Sequence, residues 1–181
     1  MIRISKDSPV FYLTSVTNDR LPVFRTPRLK ELACTAIDEA RRSAGFLLLA
    51  YVVMTDHLHT LVHSELKPSK VLQYINGITA HRIIEFLKTN NYLESLKKLR
   101  HADRGRKYRY SLWEHHPNAK LLTSEEVVME KVNYIHQNPV RGGLVERAED
   151  YRWSSVRCWK GEPLEDEPLL VDIDQIQWRV K

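Results

Sequence analysis

The run Phe46-Leu47-Leu48-Leu49-Ala50-Tyr51-Val52-Val53-Met54-Thr55-Asp56-His57-Leu58-His59-Thr60-Leu61-Val62-His63 decides the fold. Its first half, Phe46 to Met54, is almost wholly apolar and predicts a central strand buried on both faces. Thr55-Asp56 interrupts it. From His57 to His63 polar and apolar residues alternate, which predicts a second strand beside the first.

Helical patterns flank this pair. Before it, Thr26-Pro27 supplies an N-cap and a first-turn proline, and Leu29, Leu32, Ala33, Ala36, Ile37 and Ala40 keep helical spacing up to Gly45. After it, Pro68 opens a helix carrying Val71, Leu72, Ile75, Ile78, Ile83, Phe86 and Leu87, closed by Asn90-Asn91. Pro9 to Val16 reads as a first strand, and Ser111 to Leu122 as a last one bent at Pro117-Asn118. Thr123-Ser124-Glu125-Glu126 is a capping box that starts a third long helix, which Pro139 should end just after Asn138. The first six elements, strand-helix-strand-strand-helix-strand, predict an α+β ferredoxin-like sandwich with a C-terminal helix added.

The 181 residues suit a single domain, 1–181, with a candidate mobile basic loop at about 90–110 and a C-terminal extension at about 146–181. No apolar run approaches the ~20 residues that cross a bilayer, and no signal-peptide core is present, so the cytoplasm is the expected location. Cys34 and Cys158 lack ligand-like spacing and read as free thiols. The net charge of +5 points to an anionic partner. Much of it is concentrated in Lys97, Lys98, Arg100, Arg104, Arg106, Lys107 and Arg109, with Tyr108 and Tyr110 interleaved. Cations for phosphates and aromatic faces for bases suit nucleic acid; a solvated basic loop is the plainer reading. The acidic stretch from Glu162 to Asp174 reads as a solvated tail able to pack on a basic face.

Two motifs carry chemistry. His57 and His59 are two apart on a strand and so point to one face. Tyr134 and Asn138 are four apart on a helix and share a face. Two imidazoles and an amide oxygen suit a divalent ion such as Mg²⁺ or Mn²⁺, with open positions for phosphate oxygens. A phenol ionises near pH ~10, so a nucleophilic Tyr134 needs a metal, base or cation nearby. Lys131 lies one turn earlier, where a solvated surface lysine is expected. His136 lies about 200° around the helix from Tyr134 and should face away. His115 and His116 read as strand or DNA-contact residues.

The segments Tyr51 to Val62, Tyr134-Ile135-His136-Gln137-Asn138-Pro139-Val140-Arg141-Gly142-Gly143-Leu144-Val145 and Tyr151-Arg152-Trp153-Ser154-Ser155 resemble the single-tyrosine HUH transposases. The similarity is greatest to their REP-associated tyrosine transposase branch. It departs at Thr55-Asp56, where the family has a Pro-Asn pair. The resemblance implies a single-stranded DNA substrate, often beside a hairpin. It implies attack by Tyr134 to give a 5′-phosphotyrosine and a free 3′-hydroxyl, with His57, His59 and Asn138 holding the divalent metal. Relatives work as monomers or homodimers. A DNA-hairpin-binding protein that no longer cuts, and an unrelated metal hydrolase using bound water, are the alternatives.

Overall fold

The computed structural model describes residues 1–100, 109–115 and 118–178. Four strands form one antiparallel sheet: β1 (Val10–Val16), β2 (Leu47–Val53), β3 (His57–His63) and β4 (Asn118–Leu122), in the order β2-β3-β1-β4. Helices α1 (Pro27–Ala44) and α2 (Pro68–Thr89) connect them in the ferredoxin-like manner, followed by α3 (Leu93–Lys98), α4 (Glu125–Arg141) and α5 (Val156–Lys160). No helix among the described residues is long and apolar enough to cross a membrane.

The predicted signals act where the sequence puts them. Thr26 Oγ1 accepts from the Leu29 N–H at 3.4 Å, Pro27 opens α1, and Gly45 closes it at a left-handed φ of 67°. That conformation costs glycine no side-chain clash.

Both faces of the sheet are covered. Phe11 and Leu13 of β1, with Leu58 and Val62 of β3, join a core with Ile37, Val71, Ile75 and Ile83 of α1 and α2. Val10 and Leu61 point the other way, into a core with Val128, Val132 and Ile135 of α4. By alternation, Tyr12, Thr14, His57 and His59 share this α4 side.

Several expectations need correction. The apolar strand β2 is an edge strand, not a central one. It is nevertheless buried, because the C-terminal chain runs along its free edge. Val53 N–H donates to the Trp153 carbonyl, Ser155 N–H to the Tyr51 carbonyl, Tyr151 Oη to the Val53 carbonyl at 2.7 Å, and Trp159 Nε1 to the Leu49 carbonyl at 2.8 Å. An uncovered edge strand exposes unpaired backbone groups, and this strap removes that liability. The acidic tail is accordingly partly paired with particular arginines: Asp172 with Arg41, Glu167 with Arg157, and Asp166 with Arg152.

The last strand is shorter than expected. Only Asn118–Leu122 is strand, while Trp113 makes an isolated bridge to Thr17 and His115 lies outside any strand. His116 and Pro117 lie outside the described residues. Ser124, not Thr123, caps α4, accepting from Val127 N–H at 3.4 Å. The helix also continues through Pro139 to Arg141, with Gly142 N–H donating to the Asn138 carbonyl at 2.8 Å. Proline removes one bond of the ladder, and the flanking bonds carry the helix past it. Part of the basic stretch is helical, since Lys97 and Lys98 form the last turn of α3.

Candidate active site

The site forms where β1 and β3 face α4. The β1–β3 register sets Thr14 opposite His59 and Val16 opposite His57. The two histidine rings lie 5.0 Å apart between centroids, and His59 lies 5.8 Å from the ring of Tyr134. The strand motif and the helix motif, more than seventy residues apart, therefore meet.

Each imidazole is held by its Nδ1. His57 Nδ1 bonds Asp56 Oδ1 at 2.6 Å. A carboxylate only accepts, so Nδ1 of His57 carries a proton and donates it, and Nε2 is the nitrogen left for a ligand. His59 Nδ1 lies 2.8 Å from Tyr12 Oη and 2.9 Å from Thr14 Oγ1. Asp56 also receives Arg20 at 3.2 Å. Burial would raise the Asp56 carboxyl, but the bonds from His57 and Arg20 hold it below its ordinary value. This is the outer-shell arrangement that fixes ring orientation at metal-binding histidines. The Asp56 that departs from the family pattern is thus the residue that orients His57.

Burial, then the neighbouring His57, pushes His59 down to about 3. It stays neutral at physiological pH, as a metal ligand must. Burial, offset in part by the bond to Thr14, takes the Tyr12 phenol up to about 12, so it remains a protonated partner.

Tyr134 is 37% exposed and stands beside the buried stripe of α4. Asn138, one turn on, donates from Nδ2 to the Tyr134 carbonyl at 2.7 Å. Its Oδ1 then has no protein partner among the described residues and can accept a cation. The donor set of two imidazole nitrogens and one amide oxygen fits a hard-to-borderline divalent ion. Among the described residues no three histidine, cysteine or acidic side chains cluster as a metal cage.

Lys131 is not the solvated lysine expected. Its side chain is 19% exposed, with Nζ 5.8 Å from the Tyr12 ring and 5.4 Å from the Tyr134 ring. Arg141 brings its guanidinium to 5.1 Å from the Tyr134 ring. His136 faces away as expected, buried with Nε2 2.9 Å from Ser155 Oγ. Tyr12, Thr14, Asp56 and Arg141 are site residues that motif reading misses. Tyr12 and Thr14 had a weak signal, as polar positions two apart on the strand nearest His59.

Of the basic residues, Lys97, Lys98, Arg100 and Arg109 are exposed, but they belong to the α1–α2 side of the sheet. Tyr110 there lies 5.8 Å from Lys88 and 5.6 Å from Arg109. They do not join Tyr134. Arg104, Arg106 and Lys107 lie outside the described residues, as do His101 and Tyr108. Lys120, opposite Tyr12 on β4, is an exposed cation on the α4 side.

Residues 10–137 match the family model described as IS200-like transposase. A Haemophilus influenzae protein named as a REP-associated tyrosine transposase is 28% identical over 148 residues, spanning 81% of this chain and 78% of its own. The structure of a REP-associated tyrosine transposase bound to a REP hairpin superposes with a TM-score of 0.63 at 18% identity, over 96% of this chain and 91% of that one. A fainter likeness, TM-score 0.48 at 17% identity over 72% and 90%, is to a Deinococcus radiodurans transposase structure. This chain belongs to the IS200-like transposase family and is similar to its REP-associated tyrosine transposases.

Proposed function

We propose that this protein is a metal-dependent transposase that nicks and rejoins single-stranded DNA beside a hairpin, with Tyr134 as the nucleophile. The observation that carries the reading is the meeting of His57 and His59 with Tyr134 at 5.8 Å between the His59 and Tyr134 rings. Membership of a transposase family and the hairpin in the structurally similar protein support a DNA partner.

In the proposed step Tyr134 Oη bonds to a backbone phosphorus and the bond from phosphorus to the 3′ oxygen breaks. The products are a 5′-phosphotyrosine and a 3′-hydroxyl, and the phenol proton ends on the released oxygen. Attack by a second strand's 3′-hydroxyl reverses the step and frees the tyrosine. His57, His59 and Asn138 are the residues that would hold Mg²⁺ or Mn²⁺, which when bound polarises the phosphate and spreads the charge of the transition state. Asp56 holds His57 in one tautomer, and Tyr12 and Thr14 fix the ring of His59. Exposed Tyr134 is open to an incoming strand, while buried His59 is kept from bulk water.

The test is cleavage of hairpin oligonucleotides taken from the DNA flanking the gene, with Mn²⁺ or Mg²⁺. Tyr134→Phe is expected to abolish cleavage and leave binding unchanged, because it removes one oxygen from a partly exposed side chain. Cleavage by the phenylalanine variant contradicts the assignment and favours a water-using hydrolase. Binding without cleavage by the wild-type protein, across metals and substrates, favours a non-cutting hairpin binder.

A further inference from the structure

Lys131, Tyr134, Asn138 and Arg141 follow one another at steps of three, four and three residues, so they form one stripe of α4. Two cations bracket the phenol: Lys131 Nζ at 5.4 Å from its ring and the Arg141 guanidinium at 5.1 Å. We propose that Lys131 and Arg141 are a phosphate clamp, two positioning residues that seat the ring of Tyr134 and hold the scissile phosphodiester against its hydroxyl. This rests on Tyr134 being the nucleophile.

The charge distribution is what points to an anion. Lys131 is four-fifths buried, yet the carboxylate near it, Glu130 at 3.4 Å, is itself 69% exposed and screened by water. The Arg141 guanidinium has no carboxylate within 4 Å among the described residues. Asp56, the acid beside His57, is already engaged by His57 and Arg20. Partly desolvating a lysine is costly without a counter-charge. The π faces of Tyr12 and Tyr134 offset part of that cost, and the water-screened bond to Glu130 offsets the charge only in part. A phosphodiester supplies further negative charge where the hydroxyl must attack. As the phenol oxygen bonds to phosphorus, negative charge grows on the phosphoryl oxygens, and fixed cations there favour the transition state over the ground state. In the reverse step the same cations stabilise the departing phenolate. Lysine acts as a point charge in this setting, whereas the planar guanidinium can hold two phosphate oxygens at once.

Two measurements test this. Single-turnover cleavage is compared for wild type, Lys131→Gln, Arg141→Gln, Lys131→Arg and Arg141→Lys, with thermal melting as a check on folding. Each glutamine variant is expected to cleave at least ~10-fold more slowly, with the charge-conserving variants recovering most of the rate. The second measurement needs no activity. In the Tyr134→Phe background, with EDTA present, affinity is measured for an oligonucleotide with a phosphodiester or a neutral methylphosphonate at the linkage that wild type cuts. The intact clamp is expected to favour the charged linkage, and Lys131→Gln with Arg141→Gln to erase that preference. An unchanged preference, or glutamine variants that cleave at the wild-type rate, overturns the clamp while leaving Tyr134 as nucleophile. Failure of the wild-type protein to form any adduct overturns the underlying reading instead.

Discussion

Helix α4 carries two stripes side by side, and they obey different rules. Val128, Val132 and Ile135 are buried against the sheet and fix where the helix lies, and Pro139 is buried on the same stripe. Lys131, Tyr134, Asn138 and Arg141 lie a short rotation away, with Tyr134 beside His59 and Lys131 beside Tyr12 of β1. The apolar stripe is interchangeable in kind, since any well-packed residues of the right volume would hold the helix. The polar stripe is not, because in the proposed mechanism each member has a separate chemical task. A buried anchor one residue from an exposed phenol is how the fold holds that phenol near His59 without enclosing it.

The sharpest way to break the comparison is to cut into the anchor. Ile135→Ala removes a fully buried side chain next to Tyr134 and is expected to cost about 2–5 kcal/mol of stability by denaturant unfolding. Cleavage should fall with it, because the helix position loosens. Unaltered stability with abolished cleavage would erase the distinction between the stripes. Next is the support of the histidines. Asp56→Ala frees the His57 ring and is expected to weaken metal affinity roughly 10–100-fold by calorimetry, with little change in melting temperature. An unchanged metal affinity would remove Asp56 from the account.

A comparable effect on stability is expected at Ser155. Its Oγ accepts from the Tyr51 N–H at 3.0 Å and lies 2.9 Å from His136 Nε2, so it joins strap, edge strand and the back of α4. Ser155→Ala leaves both without that partner and should cost roughly 1–3 kcal/mol by denaturant unfolding.

A pH dependence follows from the two buried histidines. Burial holds His59 at about 3 and His136 at about 4, against an ordinary 6.5. The unfolded chain therefore binds protons more readily than the folded one. The resulting stability is complete above pH ~6.5 and is lost as pH falls from there, toward ~4 for His136 and toward ~3 for His59. Melting temperature should decline over that window, and less steeply in His136→Gln. The smallest expected effect is on the far face: neutralising Lys97, Lys98, Arg100 and Arg109 should weaken DNA binding and flatten its salt dependence. The slope should fall by about 0.7 for each phosphate of a single strand that is no longer neutralised. An unchanged slope would make these residues plain solvated surface.

Much of this was legible in the sequence, for identifiable reasons. The hairpin of β2 and β3 was written in a shift from continuous to alternating apolar residues, and α1 in its threonine cap, proline and closing glycine. What was missed depended on chain far away. The burial of β2 was read correctly, but its edge position was not, because the strap at 151–172 that covers it has an irregular backbone and leaves no periodic signal. Passage of α4 through Pro139 was hidden because proline ends most helices, and here bonds on either side preserve the ladder. The placements of His57 and His59 on one strand face, and of Tyr134 on its helix, followed from short-range spacing. Those of Tyr12 and Thr14 came from the register of β1 on β3, which pattern alone did not set. Lys131 looked like surface because the aromatic ring that covers it, Tyr12, belongs to a strand more than a hundred residues earlier.

The measurement closest to the central claim is a covalent one. The protein is incubated with labelled hairpin oligonucleotides and Mn²⁺ or Mg²⁺, resolved under denaturing conditions, and any labelled species is digested and sequenced by mass spectrometry. The account predicts DNA attached through a 5′-phosphate to the peptide bearing Tyr134, and no such species from Tyr134→Phe. Cleaved DNA with no attached protein, or attachment at Tyr12 or another residue, would contradict it.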